Sequence, residues 1–270
     1  MTMVAAATIS HAQTILFSDN FESYTADSPL TGPKWSSITT ATNATLNVVL
    51  DDGSPLSPAD SFGQGTSNKI LQVRDTTNTG MTRMDATGMN FQVATLSFFY
   101  YESSAVNGTK FRLTFGESSN TTANYAFQAT FNGGVLSDLD NTFTAAYSQD
   151  TLHRVDMVVN TSNSAVSYND GSDSVASLTF DIWIDGVLMG NNIAVVSGST
   201  VYTEGGIDMT TFRFSTDYSG LSREAYLDDV YLFEGADISH QIPEPEQAAL
   251  WLIGLSAVVA MVRNQRSKKD

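Results

Sequence analysis

A period-two alternation of apolar and polar residues runs through most of this chain and limits it to β structure. The segment KFRLTF, residues 110–115, places Phe111, Leu113 and Phe115 on one side of a strand. Its other side carries Lys110, Arg112 and Thr114. The segment TFRFST, residues 211–216, repeats the same pattern. Successive side chains of a strand point to opposite faces, so each segment predicts a strand with one buried face.

Further segments extend this pattern over residues 13–240. LTFDIWIDG, residues 178–186, alternates and ends in an Asp-Gly turn, while ATLSFFYY, residues 94–101, is apolar on both faces, as in a central strand. About a dozen strands are expected, with no repeat of fixed period and no break in composition. The chain is therefore predicted to be all-β, with one antiparallel two-sheet β-sandwich (jelly roll) over residues 13–240. The polar stretches 51–68 and 161–177 are predicted to be long loops bordering a ligand face.

Residues 241–270 differ from the body in composition. Pro243, Glu244 and Pro245 precede a short uncharged segment, 248–262, and a basic tail. As a helix this segment would span about 22 Å, less than the hydrocarbon core of about 30 Å. The basic tail would stay on the cytoplasmic side, which leaves the preceding domain outside. A short C-terminal hydrophobic helix in a membrane is thus expected.

This order of triplet, apolar helix and basic tail resembles the PEP-CTERM sorting signal of exported bacterial proteins. The resemblance covers about 28 residues. It implies recognition and cleavage by an exosortase-type processing enzyme, transient anchoring in the inner membrane, and delivery to the cell surface or extracellular matrix. The first residues, 1–12, fit the cleavage end of a signal peptide but lack its basic start, so a truncated or atypical signal peptide is expected.

Charge and cysteine content narrow the function classes. Before Pro243, nine Lys or Arg stand against 26 Asp or Glu, a formal charge of −17. Such a body repels nucleic acid and anionic lipid surfaces. It suits a soluble extracellular protein, or one that meets neutral sugars or cations. The chain has no Cys, which excludes disulfides, thiolate metal sites and a Cys nucleophile.

A second resemblance covers most of residues 15–235. ILFSDNFESY near the start, LHRVDMVVN and FDIWIDGV in the middle, and EAYLDDVYLFEG at the end resemble the concanavalin A-like lectin/glucanase superfamily in its laminin-G-like form. The opening and closing segments also resemble carbohydrate-binding modules of the galactose-binding-like jelly roll. Both families are antiparallel β-sandwiches.

Catalytic signals are weak in this sequence. The glucanase arrangement Glu-x-Asp-x-x-Glu, which places carboxylates in one groove, is absent. His153 starts a strand without a Ser or Cys nucleophile motif, and it is predicted to be an edge residue rather than a general base. A non-catalytic protein is therefore expected.

Two kinds of binding site are predicted instead. Asp19, Glu22 and Asp228 lie near the two ends of the domain and could supply oxygen ligands to Ca²⁺, as in the resembled binding modules. Alternatively, these carboxylates cap strands and turns. Aromatic side chains are the candidates for polysaccharide binding, with Trp183 foremost because it points away from the presumed core, although a crossing loop could cover it. The others are Tyr101 and Trp35, with Tyr125 behind them.

The leading hypothesis is an exported, non-catalytic surface or matrix protein that binds polysaccharide. Two competitors remain open. One is a glycoside hydrolase with an unrecognised carboxylate pair, and the other is a purely structural or adhesive module.

Overall fold

The computed structural model describes residues 13–42, 44–54, 56–75, 81–104, 110–117, 121–216 and 223–238, with Arg223 described by its backbone alone. All of these residues belong to one compact unit. The expected signal peptide, 1–12, and the expected sorting segment, 241–270, lie outside the described residues. Among the residues that are described, no helix is long and apolar enough to cross a membrane.

The described part of the chain forms eighteen strands in three sheets. In chain order they are β1 (Ile15–Asp19), β2 (Ser28–Pro29), β3 (Ser37–Thr39), β4 (Ala44–Leu50), β5 (Lys69–Asp75), β6 (Arg83–Phe91), β7 (Val93–Glu102), β8 (Phe111–Gly116), β9 (Tyr125–Asn132), β10 (Val135–Asp138), β11 (Thr144–Ala146), β12 (Leu152–Asn160), β13 (Val166–Tyr168), β14 (Asp173–Val175), β15 (Thr179–Ile184), β16 (Val187–Ala194), β17 (Met209–Thr216) and β18 (Arg223–Glu234).

Two large sheets make up the architecture. Sheet A has nine strands in the order β16-β15-β12-β7-β18-β5-β4-β2, with β1 paired to the second half of β18. Sheet B has seven strands in the order β11-β10-β9-β8-β17-β6-β3. Every pairing is antiparallel, which confirms the predicted β-sandwich.

The core lies between sheets A and B and follows from the alternation in the sequence. Phe98 of β7 meets Phe214 of β17 edge to face, with ring centroids 5.2 Å apart. Phe127 of β9 meets Phe180 of β15 at 5.6 Å. All four rings are buried, and burying a ring of this size stabilises the fold by about 1.5–3 kcal/mol. The polar alternates of these strands consequently face outward.

The outward face of sheet A is covered at both ends by apolar clusters. At one end, Leu56 and Phe62 of the loop 51–68 pack on Tyr101 and Tyr226. At the other end, the hairpin β13–β14 packs Tyr168 and Val175 on Trp183. The stretch 161–177, predicted to be a loop, therefore contains two short strands that form a third sheet.

The segment after β18 also crosses the outward face of sheet A. The amide of Gly235 donates to the carbonyl of Val93, and the amide of Asp237 donates to the hydroxyl of Thr95. Arg154 donates from Nη2 to the carbonyl of Ile238. The three apolar clusters of the described residues thus fill the space between the sheets and the outer side of sheet A.

Candidate functional site

The three foremost aromatic residues predicted to bind sugar, Trp183, Tyr101 and Trp35, are buried. Trp183 points away from the core, as its alternation requires, but the hairpin β13–β14 covers it and leaves it 9% exposed. Its Nε1 donates to the hydroxyl of Tyr168, and that hydroxyl donates to Oδ2 of Asp181 at 2.6 Å. Trp183 therefore anchors the hairpin and presents no open ring face.

Tyr101 and Trp35 are buried for different reasons. Tyr101 faces outward from sheet A, but the loop 51–68 covers it, leaving it 5% exposed. Trp35 is 3% exposed and belongs to the central core, where it packs edge to face on Phe17 and Phe212. Neither ring presents a free face to a sugar.

The three carboxylates predicted to hold calcium have other partners. Asp19 is buried, and its two oxygens accept four hydrogen bonds, from the amide of Phe21, the Tyr24 hydroxyl, Lys34 Nζ and Trp35 Nε1. Four donors occupy the lone pairs that a cation would need. These hydrogen bonds fit the alternative prediction, that Asp19 caps a turn, and the calcium site of Asp19, Glu22 and Asp228 stays a prediction.

Glu22 and Asp228 lie close to each other. Glu22 is exposed, and its Oε1 accepts from the amide of Lys69. Asp228 is buried and accepts from Asn68 Nδ2 and from the amide of Asp229. Burial, then the Asp229 carboxylate, and then Glu22 raise the pKa of Asp228 well above its ordinary value. Within the described residues no group of three His, Cys, Asp or Glu is arranged to hold a metal ion.

His153 is a central residue of sheet A, so its assignment to an edge is wrong. Its strand, β12, lies between β7 and β15. The ring is buried, with Nδ1 2.7 Å from Oδ2 of Asp185 and Nε2 2.7 Å from the carbonyl of Ser148. Both ring nitrogens are occupied, and the residue ties β12 to the β15–β16 turn.

The outward face of sheet B has a different character, because polar side chains align across its strands. One row crosses five strands: Ser37, Asp85, Arg213, Thr114 and Gln128. The next row crosses all seven strands: Thr39, Arg83, Ser215, Arg112, Thr130, Ser137 and Thr144. We call these two rows the polar face. Six spacings of about 4.8 Å give the longer row a length of about 29 Å.

A β-bulge adds an aromatic ring beside the polar face. The register of β8 and β9 shifts after the pair Phe115–Phe127, so that Gly116 pairs with Tyr125 and skips Ala126. Ala126 consequently joins the core, and Tyr125 turns outward, where its hydroxyl accepts from Arg213 Nη1 at 3.4 Å. Bulges commonly re-aim a side chain in this way. Tyr125 is half-buried.

A buried ion pair lies at the centre of the polar face. Arg213 Nε donates to Asp85 Oδ1 at 2.6 Å, and Nη2 donates to Oδ2 at 2.9 Å. Burial disfavours the charged guanidinium, but Asp85 outweighs it, so the pKa of Arg213 is raised. This bidentate geometry holds both planar groups in place.

Arg83 flanks this pair, two residues before Asp85 on β6. Its side chain is 16% exposed, and its Nε lies 3.9 Å from Asp85 Oδ2, beyond hydrogen-bond distance. Buried Nε and Nη1 have no acceptor among the described residues. Beside Arg112, a depression of about 190 Å³ is lined by Lys110, Gln128 and Asn132, among others. The polar face thus brings hydroxyl, amide and guanidinium groups together. Two of its twelve residues, Thr39 and Thr144, are exposed, four are half-buried (Ser37, Arg83, Arg112 and Ser137), and the other six are buried.

The residues of the polar face were visible in the sequence, but their role was not. The alternation in KFRLTF and TFRFST marked Arg112 and Arg213 as outward. Alternation does not say which outward faces become covered, and the sequence favoured large aromatic residues instead. Tyr125, a lesser candidate in the sequence, lies beside the polar face because of a register shift that no sequence pattern announced.

Comparisons with known proteins give only distant matches. No protein-family model matches the chain, and no curated protein matches it in sequence. Among solved structures, it is similar to a sialidase (TM-score 0.48, 11% identity, 76% of this chain and 17% of that chain). It is also similar to the "Cellulose induced protein, Cip1" (TM-score 0.49, 12% identity, 83% of this chain and 100% of that chain). A third similar structure is a putative beta-glucanase from Mycobacterium abscessus (TM-score 0.47, 14% identity, 81% of this chain and 100% of that chain).

Proposed function

We propose that this protein is a non-catalytic polysaccharide-binding module and that the polar face is its binding surface. The observation that carries the proposal is the unbroken row of hydroxyl and guanidinium side chains across all seven strands of sheet B. Sugars present donors and acceptors along their length. Ser, Thr and Gln side chains match both, and Arg supplies donors. A row of about 29 Å suits an extended chain rather than a single small molecule.

Tyr125 gives this surface its apolar contact. A sugar ring has an apolar face, and Tyr combines an apolar ring with a polar tip. The outward face of sheet A is a poorer candidate, since apolar clusters and the segment after β18 cover Tyr101 and Trp183. No apolar cluster of the described residues covers sheet B. In the longer row Thr39 and Thr144 are exposed and Arg83, Arg112 and Ser137 are half-buried, while Ser215 and Thr130 are buried.

The carboxylates of this region support binding rather than hydrolysis. Asp85 is held by both nitrogens of Arg213, and Asp138 accepts from the hydroxyl of Thr142 and the amide of Phe143. A glycosidase needs one carboxyl group as an acid and a second as nucleophile or base. Both groups already serve as acceptors within the protein.

Export and sorting complete the proposal. The order of the C-terminal segment, with Pro243, Glu244 and Pro245 before an apolar stretch and a basic tail, supports delivery to the cell surface or matrix through an exosortase-type enzyme. A polysaccharide-rich matrix is a setting in which an acidic domain with a polar sheet face would find its ligand.

Binding is tested with the full chain in mild detergent on an array of neutral and acidic polysaccharides. The wild type is expected to bind. Tyr125→Ala should weaken binding about tenfold, which corresponds to about 1.4 kcal/mol. Trp183→Phe, on the other sheet, serves as the control and should leave binding unchanged. Absence of wild-type binding, or equal loss in both variants, would refute the assignment.

Two further measurements test the remaining parts. Incubation with the bound polysaccharide should release no reducing sugar, and measurable release would show an enzyme. Deletion of residues 243–270 in the producing bacterium should release the domain to the medium, while unchanged surface retention would contradict the sorting signal.

A further inference from the structure

We propose that the polar face selects acidic polysaccharides, those whose sugar units carry carboxylate groups. The inference rests on the proposed function and narrows its ligand class. It arises from three features of sheet B: its local charge, the unpartnered N–H groups of Arg83, and the spacing of its cationic side chains.

The charge of this region is opposite to that of the chain. The polar face and the depression beside it contain four of the nine basic residues before position 243: Arg83, Lys110, Arg112 and Arg213. They contain two of the 26 acidic residues, Asp85 and Asp138. A local excess of positive charge on an otherwise acidic domain attracts anions and orients them toward one sheet. The net charge of −16 had favoured neutral sugars and concealed this asymmetry.

Arg83 supplies donors that the protein does not use. Nε and Nη1 are buried and have no acceptor among the described residues, although the side chain remains partly exposed. Buried N–H groups of a charged side chain are costly to leave without a partner. A carboxylate accepts two parallel N–H bonds along one edge of a guanidinium, from Nε with Nη2 or from Nη1 with Nη2, so a bound carboxylate would give one of the two unpartnered groups of Arg83 an acceptor. Asp85 does not fill this role, because its Oδ2 lies 3.9 Å from Nε, beyond hydrogen-bond distance.

The cationic groups are spaced along the longer row. Arg83 and Arg112 lie on either side of Ser215, so their strand positions are about 10 Å apart. Lys110 lies two residues from Arg112 on the same side of the chain and lines the depression of about 190 Å³. An extended chain lying along the row would meet cations at intervals, with hydroxyl groups between them. Repeated carboxylates on successive sugar units fit that arrangement, whereas a single anion would use only one end.

A matched pair of polymers separates charge from sugar shape. The full chain in mild detergent is titrated with polygalacturonate and with its fully methyl-esterified form, which has the same backbone without charge. Alginate and hyaluronan serve as further carboxylated probes. We expect carboxylated polymers to bind at least tenfold more tightly than the ester. Raising the NaCl concentration from about 0.05 to about 0.5 M should weaken the binding of the carboxylated polymers about tenfold, because salt screens exposed charges.

Single variants locate the interaction. Arg83→Gln and Arg112→Gln should each weaken polygalacturonate binding about tenfold or more, as expected for loss of a charge-assisted hydrogen bond. Arg83→Lys keeps the charge but loses the fork, so its loss should be smaller. Arg74→Gln removes the same charge from the exposed outward side of sheet A and should have no effect. Melting curves of all variants show that the fold is retained.

The outcomes distinguish this inference from the proposed function. Equal binding to the acid and the ester would overturn the acidic selectivity and leave polysaccharide binding intact. An equal loss in Arg74→Gln and Arg83→Gln would also overturn it, because general charge would then explain the binding. Failure of every carboxylated polymer to bind overturns the inference, and failure of the neutral polysaccharides as well overturns both.

Discussion

The indole Nε1 of Trp35 donates a hydrogen bond to Oδ2 of Asp19 at 2.9 Å, inside the core beside β1. The sequence had assigned these two residues to different sites, Trp35 to a sugar platform and Asp19 to a calcium ion. In the structure the carboxylate of Asp19 accepts the hydrogen bond that the buried indole of Trp35 donates, so the two side chains are partners. Tyr24 and Lys34 complete the set of side-chain donors around the carboxylate, so that this cluster fixes the segment between β1 and β3.

Replacing Asp19 should therefore lower stability rather than a metal affinity. Asp19→Ala leaves buried N–H groups of Trp35 and Phe21 without an acceptor, at about 1–3 kcal/mol for each. A loss of about 3 kcal/mol in the free energy of unfolding is expected in urea titrations. Glu22→Gln, at an exposed position nearby, should change it by less than about 0.5 kcal/mol. Equal losses in the two variants would contradict the assignment.

Asp228 should make the fold more stable in acid than at neutral pH. Burial and Asp229 raise its pKa above the ordinary value of 3.8. The folded state therefore favours the protonated form, and the stabilisation present below that ordinary value is lost as the pH rises through the raised pKa. Asp228→Asn should be no more stable than the wild type near pH 4 and more stable at pH 7. Urea midpoints in EDTA across this range measure the difference, and parallel curves would contradict it.

Calcium at Glu22 and Asp228 stays a prediction, which the same variant tests. If the ion binds there, calcium added after removal of EDTA should raise the urea midpoint of the wild type at pH 7. Asp228→Asn should lose most of that increase, because a cation needs the ionised carboxylate. An equal response in the two proteins, or none in either, removes Asp228 as a ligand.

The hairpin β13–β14 should depend on one hydroxyl group. Tyr168 donates to Asp181 and accepts from Trp183, so Tyr168→Phe breaks both hydrogen bonds. We expect a loss of about 1–3 kcal/mol and faster proteolysis within residues 161–177. Iodide should then quench Trp183 fluorescence more strongly. Tyr231→Phe, on β18, is the control, and unchanged cleavage in Tyr168→Phe would show that the hairpin is held by its apolar contacts alone.

The sequence predicted the sandwich well because alternation is a local property. Phe111, Leu113 and Phe115 had to share a face whatever their neighbours, and that face is the core. Whether an outward side chain is covered depends instead on segments that are distant in the sequence. Tyr101 and Trp183 point outward as their alternation requires, but the loop 51–68 and the hairpin β13–β14 close over them. The strand register that aligns Arg83, Ser215 and Arg112 is also a long-range property, so the polar face required the structure.

The ion pair of Asp85 and Arg213 yields the last prediction, which separates a structural carboxylate from a catalytic one. Asp85→Ala leaves the buried Arg213 guanidinium without its partner and should cost about 3–5 kcal/mol of stability. The double variant Asp85→Leu with Arg213→Met replaces the pair by apolar side chains and should recover most of that loss. Unfolding of the wild type, Asp85→Leu, Arg213→Met and the double variant in urea gives the coupling energy directly. Asp85 neutralises the buried Arg213, so Asp85→Ala should lower the free energy of unfolding far more than a change at an exposed acid. Asp52→Ala, at such an exposed position, is the control. A double variant no more stable than Asp85→Ala would show that the two charges are not coupled, and Asp85 would then be available for chemistry.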